Sequence, residues 1–456
     1  MSTTKNQLAL LNGTYRAFYS QYSYAGSGQQ DQGGQGSMMI NMDMLGEDLV
    51  QTAQGNGWYN SIYKWEASRS SKSSTTIFAY RFYYKIIGAA NQIIESIDKA
   101  SGPESERKQI KGEALGLRAW SYFQLVQIFG KRYDAAAKPN KQLGVPLLTS
   151  FNPKGQPRAT VEEVYAQINK DLDEAVTLLT KGAPENNVHF NLNAAYGVKA
   201  RVALAMQDWA NAAAYAVQAR TGFSLMSNAE MLKGFNSYSN SEWMWCSHQI
   251  DDQTTYFYSF FAYMSANFNS SNIRSNPKAI NKLLYAKIAS TDIRKQWWDS
   301  TGATIPVPPQ GNKNPYSNKK FLAKSSSSSV GDVVYMRVSE MYLIEAEAQA
   351  HLGNDAAAAA ALYTLAKNRN PSYVLSPRTG QDLLNEILVQ RRVELWGEGF
   401  RFFDLKRLNL ALDRRGSNQD EALAVTMLVP AGDKRWQFLI PEDEINANNE
   451  VLQNEI

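Results

Sequence analysis

The sequence predicts a mainly α fold, in which helix pairs of the tetratricopeptide kind form a scaffold and an irregular, loop-rich half is set against it. Three observations carry this. Apolar residues recur at three- and four-residue steps in several long segments. Two alanine-rich segments look like copies of one helix–turn–helix unit. Two further stretches, 26–74 and 222–334, are rich in Ser, Asn, Gly, Tyr and Trp and show no sustained period.

Along the chain, Leu8, Leu11, Tyr15, Phe18, Tyr19 and Tyr22 mark one stripe of an amphipathic helix. The polar Gly/Gln-rich run from Gly26 to Ser37 reads as a loop. Helical runs follow at about 75–98 and 105–129, broken at Ser101-Gly102-Pro103, with Gly130 as the C-cap. Thr160 and Glu163 have capping-box spacing and open a helix with Val161, Val164, Ile168, Leu172, Val176 and Leu179 on one stripe.

The two related units come next. Val198–Met206 leads through Gln207-Asp208 into Ala210–Ala219, and Ile344–Leu352 leads through Gly353-Asn354-Asp355 into Ala356–Ala366. Small residues let two helices approach closely, and the polar turn reverses the chain. The region Asp382–Asp413 reads as a final amphipathic, highly charged helical segment. The whole chain is expected to be a single domain, with its scaffold at about 1–25, 75–221 and 335–456 and its variable parts at about 26–74 and 222–334.

Composition excludes several classes. The 456 residues are 44% hydrophobic and 20% charged, enough for a large core and incompatible with wholesale disorder. A net charge of +4 is far too small for nucleic-acid binding by bulk charge. Three scattered histidines (His189, His248, His351) and the single Cys246 leave little for a metal site, so neither metal nor cofactor is expected. No apolar run approaches the ~20 residues that span a bilayer.

Compact catalytic signatures are missing: no dinucleotide or phosphate loop, no nucleophile elbow and no zinc-protease motif. Loop carboxylates such as Asp43, Glu47, Asp48, Asp251 and Asp252 could in principle form a glycosidase pair, but acidic loop residues are usually solvated, and no enzyme activity is expected. In Arg391–Arg407 the balanced charges suggest pairing of Arg391 with Glu394 and of Glu398 with Arg401, one turn apart on a helix face, rather than an anion site. Cys246 is read as a small buried residue, and His189 as a loop hydrogen bonder.

The aromatic loops are more informative. A flat indole or phenol can cover the C–H face of a sugar ring at little conformational cost, with polar neighbours taking the hydroxyls. The expected ligand residues are Trp58, Tyr59, Trp65, Trp243, Trp245, Tyr256, Tyr258, Trp297 and Trp298, with Asp43 and Arg69 as polar partners. At least two of the rings in these loops are expected to be exposed as a platform, although any single ring is more often core.

Six segments in order resemble the SusD/RagB family of nutrient-binding outer-membrane lipoproteins: Arg118–Leu125 with Phe129-Gly130 and Gly144–Leu147; Arg158–Tyr165 with Ile168, Asp171-Leu172 and Ala175; Asn193–Ala195 through Ala200-Arg201 to Asp208-Trp209; Arg337–Leu343 with Glu345–Ala348; Glu394–Arg407; and Phe438–Pro441 with Glu444-Ile445 and Gln453-Asn454. The resemblance covers about residues 105–456 apart from the middle loops. It implies a right-handed superhelix of tetratricopeptide-like pairs, and a non-catalytic surface protein that captures oligosaccharides or polysaccharides for a SusC-like TonB-dependent transporter. A peptide-binding member of the same family is the alternative, and a glycoside hydrolase a weaker one. Family members begin with a signal peptide and a lipid-bearing cysteine. These 456 residues contain neither, and Cys246 lies too deep in the chain to carry the lipid, so the anchor is expected to have been removed upstream. The matched motifs are scaffold and bring no ligand residues with them.

Overall fold

The computed structural model describes residues 2–24, 27–151, 153–180, 182, 186–253 and 256–456. About half of the chain is helical, as the mainly α expectation requires. Helix α1 (Thr4–Ala17) starts at Thr3, whose side chain accepts the Asn6 N–H. Its apolar stripe continues past the helix end into Phe18, Tyr19 and Tyr22.

Gly34–Met44 forms helix α2, which corrects the loop expected over Gly26–Ser37, of which Gly26 itself lies outside the described residues. All eleven residues of α2 are buried. A helix enclosed on every side has no polar face and so gives no 3.6-residue signal. Its glycines permit that enclosure: a Cβ at Gly34 (φ 63°) would lie 2.2 Å from the Phe18 carbonyl oxygen, and one at Gly36 would lie 3.2 Å from Phe260 Cβ.

Helices α3 (Ser74–Ser96), α4 (Glu104–Phe129) and α5 (Val161–Leu178) pack side by side with α4 in the middle. Both halves of the Thr160/Glu163 capping box are made, and Gly130 is the C-cap of α4. The two alanine-rich units are helix pairs: α6 (Leu192–Ala205) with α7 (Trp209–Ala219), and α8 (Val338–His351) with α9 (Asp355–Arg369). Each turn uses one left-handed residue, Gln207 (φ 61°) or Gly353 (φ 76°). Ala212, Ala216 and Ala219 of α7 and Ala358, Ala359 and Ala361 of α9 are buried. Helix α7 also packs on α8, so the pairs are neighbours, as stacked repeats must be.

The charged C-terminal segment is not one helix. It breaks into α10 (Gly380–Glu394) and α11 (Arg401–Arg407) at Gly397 (φ 80°) and Gly399 (φ 85°). The expected Arg391–Glu394 and Glu398–Arg401 pairs are corrected with it. Arg391 pairs with Asp404 at 2.8 Å, Glu394 with Arg337 at 2.6 Å, Glu398 with Arg337 at 2.8 Å, and Arg401 with Glu47.

Between the helical parts run short strands. Strands β1 (Leu49–Gln51), β3 (Lys278–Ile280), β4 (Trp298–Asp299) and β5 (Ser317–Asn318) form an antiparallel sheet in the order β1-β3-β5-β4, with Leu49 opposite Ile280. Strands β2 (Trp243–Cys246) and β6 (Val334–Arg337) pair antiparallel, with Trp243 opposite Arg337. One large apolar core runs from α1 through the helical stack and under these strands. Among the described residues, no helix is long and apolar enough to cross a membrane.

Candidate functional site

The structure puts most of the expected ligand residues inside. Asp43, Tyr59, Trp65, Trp243, Trp245, Trp297 and Trp298 are buried, and none presents a ring face or carboxylate to solvent. The physical reason is packing. Trp245 meets Phe18, Trp120, Phe190 and Tyr335 edge-on or tilted, at centroid distances of 5.2–5.7 Å. Trp65 lies against Phe402 and Trp436, Trp298 against Trp396, and Tyr59 against Tyr263. The Trp297 indole N–H donates to the Met231 carbonyl at 2.8 Å. Aromatic rings dominate cores because each buries so much area.

Asp43 accepts the N–H groups of Gly399 and Arg401, at 2.9 and 3.3 Å, and its carboxyl is pushed up to about 7 by burial. Arg69 is half-buried and tied to backbone carbonyls of Lys434, Gln437 and Glu455. Trp58 and Tyr258 are half-buried, whereas Tyr256 is 44% exposed. Of the loop carboxylates, Asp48 and Glu47 are bound to Arg392 and Arg401, and Asp251 and Asp252 are exposed.

Accessible rings are found instead around a cleft of about 330 Å³ between the end of α1, the 186–190 turn and the segment that follows β2. Its walls carry Asn12, Tyr15, Tyr19, His189, His248 and Gln253, and Trp245 and Tyr335 lie at its floor. Tyr15 donates to Glu113 Oε2 at 2.7 Å and accepts the Phe190 N–H at 2.8 Å, while His189 Nδ1 lies 2.8 Å from the same carboxylate oxygen. These bonds hold the Tyr15 and His189 rings 4.4 Å apart. Burial, followed by the neighbouring Glu113 carboxylate, raises the Tyr15 phenol well above its ordinary value, so it stays a neutral donor.

A second pair stands beside it. Tyr238, 40% exposed, lies 4.1 Å from the His248 ring. Buried Asp332 organises this pair, accepting the N–H groups of Tyr238 and Gln249 at 2.8 Å each and lying 3.1 Å from His248 Nδ1. Tyr19 is oriented by Gln253, whose side-chain oxygen accepts its hydroxyl at 3.2 Å, while the Arg16 guanidinium lies over the ring at 4.8 Å. Further along the same segment, Tyr256 and Phe257 are exposed, their rings 4.7 Å apart.

This arrangement offers flat faces and fixed hydrogen-bonding groups, which suit stacking and hydroxyl recognition. Among the described residues, no group of three or more His, Cys, Asp or Glu is placed to hold a metal ion. Cys246 at the cleft is buried, and that burial raises its thiol well above the ordinary value, away from nucleophilic reactivity.

Sequence reasoning missed Tyr15 and Tyr19 because it counted them in the apolar stripe of α1. Their polar tips, and the stripe's extension beyond the helix, are the signals that could have found them. It read His189 as a hydrogen bonder, which it is, without joining it to Tyr15.

Comparison with known proteins agrees with this architecture. Residues 30–204 match a family model described as starch-binding and associating with the outer membrane, and residues 190–456 match the SusD family model. A SusD-like protein, P38, of Formosa agariphila is 24% identical over 403 residues, covering 76% of this chain and 75% of its own. Among solved structures, a SusD-like carbohydrate binding protein from Bacteroides vulgatus superposes with a TM-score of 0.85 at 25% identity, over 99% of this chain and 98% of that one. A SusD superfamily protein from Bacteroides thetaiotaomicron gives 0.83 at 24% identity, over the full length of both. The second family match alone spans more than half of the sequence, and the chain belongs to the SusD family.

Proposed function

We propose that the protein is a non-catalytic glycan-binding component of a nutrient-uptake system. It holds oligosaccharide or polysaccharide at the cell surface and passes it to a SusC-like TonB-dependent transporter in the outer membrane, to which an upstream lipid anchor keeps it close. The observation that carries the binding step is the cleft beside α1, lined by Asn12, Tyr15, Tyr19, His189, His248 and Gln253, with the Tyr238 ring against His248 and the Arg16 guanidinium over Tyr19. Rings held by buried carboxylates need little reordering on binding, so stacking is retained as net affinity. Family membership and the likeness to a SusD-like carbohydrate binding protein support the same reading.

Isothermal titration against purified polysaccharides (soluble starch, laminarin, xylan, pectin and alginate) and against a peptide digest tests it. Heat of binding from a polysaccharide, together with no release of reducing ends on long incubation, is the expected result. Binding to peptides alone would transfer the site to the peptide-binding alternative, and release of reducing ends would make the protein a hydrolase.

A further inference from the structure

A larger cleft, of about 450 Å³, lies on the helical side of the molecule, outside the site described above. Its walls are Tyr22, Tyr84 and Phe151, with Tyr80 buried behind them, and its rim carries Lys85, Glu444 and Arg81, the last paired with Asp443 at 2.8 Å. Phe151 is 43% exposed although it is a large apolar ring.

The wall opposite α3 is rigidly held. Asn91 Nδ2 donates to the carbonyls of Leu148 and Ser150 at 2.7 and 3.0 Å, and the Phe151 N–H donates to Glu95 Oε1 at 2.8 Å. The Tyr84 hydroxyl donates to the Pro146 carbonyl at 2.8 Å, and the Tyr122 hydroxyl donates to that of Leu148 at 2.8 Å. An opening fixed in this way is preformed rather than a gap between mobile loops.

Gly88 adds an independent observation. It lies within the 23-residue helix α3 and lines this cleft, and a Cβ built there meets nothing within 4 Å. Glycine is the poorest helix former after proline, and no close packing at this position calls for it. Its bare backbone leaves that part of the cleft open. On the rim, the Lys85 ammonium sits 5.7 Å from the Tyr22 ring centroid and has no carboxylate within ion-pair distance among the described residues. Ring faces in the walls, with amine, guanidinium and carboxyl groups at the edge, match the two-sided chemistry of a sugar ring.

We propose that this cleft is a second glycan-contact site, separate from the one beside α1, so that a long polysaccharide engages the protein at two places. The proposal rests on the glycan-binding reading. Two linked contacts raise retention of a polymer well above that of a short oligosaccharide, without any new contact at either site.

The test is Gly88→Leu, which puts a bulky side chain into this cleft at a position that does not line the α1 cleft. Leucine is also the better helix former, so an unchanged or raised melting temperature shows that the variant folds. Retention is measured by affinity electrophoresis in gels containing each polysaccharide of the panel, and tetrasaccharide binding by titration calorimetry. The expected result is a roughly tenfold or larger loss of polysaccharide retention in Gly88→Leu, with tetrasaccharide affinity at the first cleft unchanged. Phe151→Ala should reproduce it. Unchanged polysaccharide retention in both variants, with wild-type protein binding normally, overturns the second site and leaves the glycan reading standing. Wild-type protein that binds no member of the panel overturns both.

Discussion

Arg337 and Glu394 form the centre of a fully enclosed ion network. Arg337 Nη1 lies 2.6 Å from Glu394 Oε1, and both side chains are about 1% exposed or less. Arg337 also binds Glu242 and Glu398, and Glu394 also binds Arg369 and Arg294. Lys320 completes it on Glu398 and Asp292 on Arg294. These residues come from β6, the α10–α11 segment, α9 and the irregular part between α7 and α8, so the network joins the helical stack to the irregular half. Removing one partner leaves a buried charge uncompensated, which costs about 3–5 kcal/mol. Glu394→Ala should therefore lower the unfolding free energy by about that amount in urea titration. An effect below ~1 kcal/mol would mean that water or relaxation compensates the arginines.

Two glycines should respond in opposite directions to one added methyl. A Cβ at Gly116 in α4 would lie 2.1 Å from Phe190 Cε1, closer than atoms can approach, and Phe190 is itself buried. Gly116→Ala should destabilise by at least the ~1–3 kcal/mol typical of overpacking. Gly88→Ala, which meets open space in α3, should stabilise by about 0.5–1 kcal/mol from helix propensity alone. Thermal melts of the two variants beside the wild type read both signs in one experiment.

The contrast between these helices also explains what could be read from the chain. Helix α5 was legible because Thr160, Glu163 and its apolar stripe are local signals, and the α6/α7 and α8/α9 pairs because their alanines repeat. Helix α2 was not: Gly34–Met44 is enclosed on all sides, and enclosure removes the periodicity that marks a helix. The charge network was equally invisible, since Arg337 and Glu394 are 57 positions apart and only the assembled fold brings them together. The same holds for the rings. Trp243 and Trp245 stand in a polar stretch of sequence, yet strand β2 is buried along its whole length, with Trp245 packed against Phe18, Trp120, Phe190 and Tyr335. What surrounds a ring in sequence says little about what surrounds it in space.

The pH dependence of stability should show two limbs. Burial alone would raise the Glu394 carboxyl, but Arg369, Arg337 and Arg294 outweigh it and hold the group well below the usual range. A carboxyl lowered in this way contributes stability that is present above the unfolded value of about 4.3 and is lost as pH falls. Asp43 acts in the opposite sense. Burial raises it to about 7, against some lowering by the Gly399 and Arg401 N–H groups and by Lys320, with Asp48 adding to the rise. Its contribution is fully present below about pH 3.9 and is lost as pH climbs through about 7. Asp43→Asn cannot ionise; its amide oxygen accepts one of the two N–H groups, which take different carboxyl oxygens in Asp43, and the loss of the other is a pH-independent cost. The difference in stability between variant and wild type should therefore grow in the variant's favour from pH 5 to pH 8, by an amount on the order of 1–4 kcal/mol. A flat difference across that interval would place the Asp43 pKa near its ordinary value.

Ring substitutions should separate the ligand surface from the support beneath it. Trp245 touches four other rings and is 1% exposed. Trp245→Ala should cost about 3–5 kcal/mol of folding stability, through lost transfer energy and the cavity left behind. Tyr238 is different: it is 40% exposed and its ring lies 4.1 Å from His248, while its backbone N–H donates to Asp332. Tyr238→Ala removes the ring and keeps that bond, so the melting temperature should stay within a degree or two. Glycan affinity should fall about tenfold, equivalent to the ~1.4 kcal/mol that one ring contact supplies. Calorimetric titration of Tyr238→Ala and Tyr19→Ala with the best-binding polysaccharide of the panel checks this. Wild-type affinity in both would remove the α1 cleft from the ligand's path, whereas a loss in both with unchanged melting fixes the ligand on the outer face of rings whose undersides are held by Gln253 and His248.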